Sequence, residues 1–210
     1  MGNEETEYEV LEHNTERNEK GNYFIIKAIE FAQPTYITAI CSVDVEVGKK
    51  LKVVNSKAQL DGKDVGDVKG TLSGKGILIS HDYDIKYTGG YSRDGKTIFI
   101  AREFPQFIEV DGKKVDALET IGRHHELTEK WLSDDAYEYP YAHELATRIE
   151  KLYVESLGVD WNAYSNEVDK NLRHVYAQKL QKSPKDLDLS PYIYSHDLKA
   201  LKEIRDSMEP

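Results

Sequence analysis

The apolar residues change their period near Lys114, and that change limits the fold more than any other feature of the chain. Upstream, short runs of β-branched and aromatic residues recur at 23–29, 36–47, 51–54, 76–80 and 96–101. Gly-rich or Asp-Gly turn signals separate them, and these favour antiparallel hairpins because glycine accepts positive φ. Asp61-Gly62-Lys63, Asp94-Gly95-Lys96 and Asp111-Gly112-Lys113 share a signature but not their flanks, which reads as three independent turns and not a repeat. Downstream the period is 3.6, the mark of amphipathic helices. The expected fold is therefore α+β, a β-rich N-terminal half followed by a four-helix C-terminal half.

The helices can be placed by their stripes and breakers. Leu118, Ile121, His125, Thr128 or Glu129, and Leu132 mark the first, which Ser133-Asp134-Asp135 should end. Pro140 suits the first turn of a second, whose inward stripe runs Ala142, Leu145, Ala146, Ile149, Leu152 and Tyr153 before Gly158 stops it. Trp161, Tyr164, Val168, Leu172 and Val175 mark a third, ending before Pro184. Ser195 is a suitable N-cap for the last, with Leu198, Leu201, Ile204 and Met208 inward.

Charge and composition narrow the function classes. Of the 210 residues, 28 are Lys or Arg and 38 are Asp or Glu, a net charge of −10 that argues against nucleic acid as partner. Residues 1–20 hold seven glutamates against Arg17 and Lys20, half of that charge, and read as an acidic flexible tail. The expected organisation is this tail, a β-rich region over 21–90, and a strand plus helices over 91–210. No apolar run approaches the ~20 residues needed to span a bilayer, and the N-terminal residues lack a basic, apolar leader. Met1-Gly2-Asn3-Glu4-Glu5-Thr6 fits a myristoylation pattern formally, but no basic patch supplies a second anchor. The lone Cys41 forms no internal bridge and no CxxC pair, consistent with a reducing cytoplasm. Neither GxGxxG nor GxxxxGK[ST] occurs, so no phosphate loop is expected.

The chemistry concentrates in the first two helices. Three of seven histidines, His124, His125 and His143, fall within twenty residues. His125 and Glu129, at i and i+4, share one face of a helix, on the stripe that holds Leu118, Ile121 and Leu132. A His and a Glu facing a core must be paired, hydrogen-bonded or metal-bound. His143 and Glu150, at i and i+7 with small neighbours between them, can point at that face from the second helix. The expected metal ligands are His125, Glu129, His143 and Glu150, with a divalent metal such as zinc. His124 is rotated about 100° from His125 and reads as a neighbour.

His125-Glu126-Leu127-Thr128-Glu129, with Lys96-Thr97-Ile98-Phe99-Ile100 before it and Tyr141-Ala142-His143-Glu144 after it, resembles the core of zincin-like metallopeptidases. HExxE stands here for their HExxH. The stretch from Tyr91 to Glu150 is also similar to small uncharacterised proteins of phages and prophage regions. The metallopeptidase resemblance implies His125 as first ligand, Glu126 as general base to a metal-activated water, and Glu129 in place of the second histidine. It implies a zinc-dependent hydrolase of peptide or protein substrates, with the strand at 96–101 as an edge that could hold extended substrate.

The rival reading is a non-catalytic phage-type interaction or virion-associated protein, with or without a structural metal. In that case His125 is a hydrogen-bonded helix residue, Glu129 a solvated partner of Arg148 or Lys151, His143 a cap and Glu150 an exposed carboxylate. His81-Asp82 and His196-Asp197 do not make an HD-type phosphohydrolase, which needs the pair within a helix between other ligands. Tyr137, Tyr139 and Tyr141 read as aromatic packing, with hydrogen bonding to an oxyanion as the alternative.

Overall fold

The computed structural model describes residues 5–13, 23–30, 36–71, 76–135 and 137–208. They divide into two compact units, Met1–Lys75 with Trp131–Tyr137, and Gly76–Lys130 with Glu138–Pro210. The α+β expectation holds, with antiparallel sheets in the N-terminal half and helices in the C-terminal half. The expected boundary at 90/91 moves to 75/76, because two strands of the β-rich region pair with a strand beyond it.

In the first unit, β1 (Glu5–His13), β2 (Tyr23–Glu30), β3 (Tyr36–Cys41), β4 (Lys50–Val54), β5 (Lys57–Leu60) and β6 (Lys63–Thr71) close a barrel in the order β1-β2-β3-β6-β5-β4. Every pairing is antiparallel, and β4 returns to β1. Two tight turns set the register of β4, β5 and β6. Asn55-Ser56 and Asp61-Gly62 both hold positive φ at each position, the twist a two-residue hairpin requires. Tyr8, Val10, Ala39, Leu51, Ala58 and Val65 fill the interior.

Glu5–His13 departs from the expected flexible tail. Its glutamates alternate with Thr6, Tyr8 and Val10, and the period of two lies hidden beneath the charge. Tyr8 and Val10 point into the barrel, while Glu7 meets Lys50 at 2.9 Å on the outside. The rest of that tail, residues 1–4 and 14–20, lies outside the described residues, as does most of the myristoylation pattern. Cys41 is fully buried, and burial with the charge of Asp67 pushes its thiol up to about 12, which makes it a packing residue without reactivity.

In the second unit, β7 (Leu78–Tyr83), β9 (Thr97–Ala101) and β8 (Gly89–Tyr91) form a sheet in that order. The central strand runs parallel to β7 and antiparallel to β8. The expected free edge at 96–101 is thus occupied on both sides. β10 (Phe107–Val110) and β11 (Lys113–Asp116) form a hairpin over Asp111-Gly112, again with positive φ at both turn positions.

A π-helix over Leu118–Glu126 follows and continues as α1 (Leu127–Asp134). The helices α2 (Tyr139–Ser156) and α3 (Trp161–Ala177) begin and end as the breakers indicate. Pro140 sits in the first turn of α2, and Gly158 ends it with positive φ while Val159 N–H returns to Val154 O. Asp160 caps α3 by accepting from Ala163 N–H. A short α4 (Ser190–Tyr194) was not foreseen, and it displaces the last cap. Ser195 closes α4, and Asp197 caps α5 (Leu198–Met208) by accepting from Ala200 N–H. Leu198 accordingly faces outward at 74% exposure, against expectation. Phe99, Ile100, Phe104, Tyr164, Val175 and Ile204 are among the residues that form this unit's core.

Removing residues 1–13 should abolish the barrel's cooperative unfolding, because β2 and β4 each lose one of their two neighbours and the barrel opens. Urea denaturation followed by circular dichroism checks this, and a truncated protein with the parent midpoint would contradict the closed barrel.

Candidate metal centre

The first helix lies deep in its surroundings. Ten of the eleven residues from Thr120 to Lys130 are buried, all but Arg123, although the stretch carries four ionisable side chains besides it and Lys130. The π-helix packs on the sheet at Gly122, where even a Cβ would make ordinary contact with Ile79 and Ile100, at 3.4 and 3.7 Å. π-Helical turns close i→i+5 hydrogen bonds, as from Leu127 N–H to Gly122 O, and such turns gather at functional sites. A solvated Glu129 is excluded by this placement.

Three of the expected ligands converge. His125 Nε2 lies 3.1 Å from His143 Nδ1 and 3.6 Å from Glu129 Oε2, and His143 Nδ1 lies 2.8 Å from that same oxygen. Atoms held at about 2.1 Å from one ion in tetrahedral array stand roughly 3.4 Å apart, so the triangle has the dimensions of a divalent metal site. Two imidazoles and one carboxylate are also a known donor set of catalytic zinc, here with carboxylate and second imidazole exchanged along the chain. His125 and Glu129 are buried, and His143 is half exposed, at 52% of its side chain.

Glu150 stands one shell further out than expected. Its Oε2 accepts from His125 Nδ1 at 2.9 Å, which turns Nε2 toward the triangle. Its Oε1 accepts from the Tyr164 hydroxyl at 2.8 Å, and that hydroxyl is 2.7 Å from the Thr120 hydroxyl. This is the carboxylate–histidine arrangement that orients metal ligands.

Glu126 takes a different direction. Its carboxylate packs on Gly89 of β8, where a Cβ would stand 2.6 Å from Oε1. It opens into a cavity of about 450 Å³ that the triangle also borders. Burial and the charge of Glu129 push Glu126 up to about 8, His125 opposing. Burial acts against a charged His125, but the close carboxylates of Glu129 and Glu150 outweigh it and hold this imidazole well above the ordinary value. Burial would raise Glu129 too, yet His125 and His143 bring it down to about 2.

The remaining candidates separate from the site. His124 is buried, stacked on Tyr153 at 3.7 Å, with Nδ1 donating to Glu119 O. His81 Nε2 meets the carbonyls of Ala101 and Phe104, and His196 occupies the turn after α4 with positive φ, so neither forms an HD site. Of the three tyrosines before α2, Tyr139 borders the cavity and stacks on His143 at 5.9 Å. Sequence reasoning missed Tyr164, which it read as core, and Tyr192, a fully buried tyrosine that borders the cavity. The Gly89-Gly90 pair was a readable signal of close backbone approach. No protein-family model, curated protein or solved structure matches this chain.

Two outcomes are expected of zinc titrations on untagged protein. Glu150→Gln should weaken binding by about 10- to 100-fold without changing stoichiometry. Glu129 and Glu150 favour the protonated form of His125 in the metal-free protein, and a cation must expel that proton, so affinity should rise with pH. Calorimetry in buffers of different ionisation enthalpy should show proton release, and a heat independent of buffer would contradict this. Without metal, the same elevated value gives His125 a stabilising contribution that is complete below about pH 6.5 and lost as pH rises through the folded value.

Proposed function

We propose that the chain is a metal-dependent hydrolase of amide bonds in peptides or proteins. A divalent cation, for which zinc best suits the donors, is held by His125, Glu129 and His143, and Glu126 is the general base. One observation carries this reading. Beside a triangle of ligand dimensions lies a carboxylate that belongs to no ion pair or hydrogen bond among the described residues and faces the same cavity.

When bound, zinc supplies Lewis acidity, polarising a carbonyl and making water easier to deprotonate. The protein's own groups do the rest. Glu126 takes a proton from the attacking water and returns it to the leaving nitrogen as the C–N bond breaks. Glu150 and Tyr164 keep His125 in the tautomer that presents Nε2. Gly89 leaves the space in which the Glu126 carboxylate sits.

Elemental analysis of untagged protein should find about one equivalent of zinc per chain. Glu126→Gln should keep the metal and lower hydrolysis of a peptide library by about a hundredfold or more. Gly89→Ala should act in the same direction by displacing Glu126. His125→Ala should lose the metal and destabilise the fold by about 3–5 kcal/mol, since the buried Glu129 and Glu150 keep only His143 and the Tyr164 hydroxyl as partners. Equal, small effects of Glu126→Gln and His125→Ala would overturn the catalytic reading. Metal loss in His125→Ala with no hydrolysis by the parent would make a structural metal site the better account.

A further inference from the structure

The cavity beside the triangle has two kinds of surface. Trp161, Tyr164, Val168 and Leu172 lie three or four residues apart and present one face of α3 to it. Tyr87, stacked on Tyr192 at 4.4 Å, borders it as well, with Tyr139 and Pro191. Trp161, Val168 and Leu172 are only half-buried, so this stripe retains apolar area that a ligand can cover. The ionisable lining is acidic apart from the two imidazoles of His125 and His143. Glu126, Glu129, Glu150, Asp169 and Asp188 border the cavity, and no Lys or Arg does so among the described residues.

Glu126, pushed up to about 8, adds little to this charge and Lys130 lies 4.0 Å from Asp188, but Glu129, Glu150 and Asp169 still outweigh one divalent cation, and low-dielectric walls strengthen the field of the excess. An anion entering the cavity is repelled. A cation is attracted both by the carboxylates and by the faces of the aromatic rings. A phosphate or a substrate's C-terminal carboxylate would meet no Lys or Arg there among the described residues, and the charge of His125 is already engaged by Glu129 and Glu150.

We propose that the cavity is a recognition pocket for a bulky aromatic side chain carried next to a cationic amine, and that it rejects the same side chain next to a carboxylate. This deepens the hydrolase reading by naming the part of the substrate that the site selects. The binding itself needs no catalysis, so the two can fail separately.

The test uses the full chain with Trp131→Phe, which leaves Trp161 as the single tryptophan and places the reporter on the cavity wall. Phenylalaninamide, N-acetylphenylalaninamide, N-acetylphenylalanine and alaninamide are titrated against it, metal-free and zinc-loaded. Phenylalaninamide should give saturable fluorescence changes and bind at least about tenfold more tightly than N-acetylphenylalanine, with the neutral amide between them. Alaninamide should bind more weakly still. Val168→Phe, or Leu172→Phe should the first not fold, fills the pocket without adding a second tryptophan and should abolish the response. Equal affinity for the cationic and anionic compounds overturns the proposal, and so does absence of saturation with phenylalaninamide. Selective binding without peptide hydrolysis by the zinc-loaded protein supports the pocket and counts against the hydrolase. Hydrolysis without this selectivity does the reverse.

Discussion

Ionised side chains enter a protein interior only if each finds a partner, because the desolvation cost is several kcal/mol per ion. Lys86, Asp84 and Lys130 meet this requirement with Glu203, Arg102 and Asp188, and the site meets it with one connected series, in which Tyr164 supports Glu150, Glu150 holds His125, and His125 meets His143 and Glu129. The series draws on α3, α2, the π-helix and α1, so the packing of these elements and the geometry of the triangle are the same problem. A core of ordinary apolar residues would hold the helices as well. It would not fix the direction of an imidazole nitrogen.

The period change near Lys114 made the fold class legible, and the breakers Pro140 and Gly158 placed α2 at both ends. Legibility failed where a residue's partner lies far away in sequence. β1 was hidden because a strand with glutamate at alternate positions looks disordered until the lysines and apolar groups of β4 stand beside it. β5 and β6 are polar and short of apolar alternation, and their register comes from turn geometry at Asn55-Ser56 and Asp61-Gly62. Ser195 was a reasonable cap by residue type, but Pro191 two residues into a short helix was the stronger start signal.

For the site, helical spacing was enough to bring His125 and Glu129 together and to point His143 at them. It was not enough to rank Glu150, whose two oxygens are both taken by other groups, a fact that no spacing rule contains. Spacing rules also took the segment at 118–126 for an α-helix. The wider π-helical turn leaves the i, i+4 relation of His125 and Glu129 intact while placing His124 against Tyr153.

That π-helix makes residue number itself a constraint. A π-helical turn accommodates one residue more than the regular helix would, at the expense of poorer hydrogen bonding. Loss of a single residue between Asp116 and Arg123 would let the segment relax to α-helix and improve its local bonding. Everything beyond the deletion would keep nearly its angular position, because the wider turn holds its extra residue within one rotation. A residue lost between Glu126 and Glu129, beyond the π-helix, has no such outlet and would turn Glu129 by about 100° away from His125, with both still present in the chain. In a lineage carrying this arrangement, a lost residue is absorbed within 118–126, whereas the same loss one turn later separates the ligands.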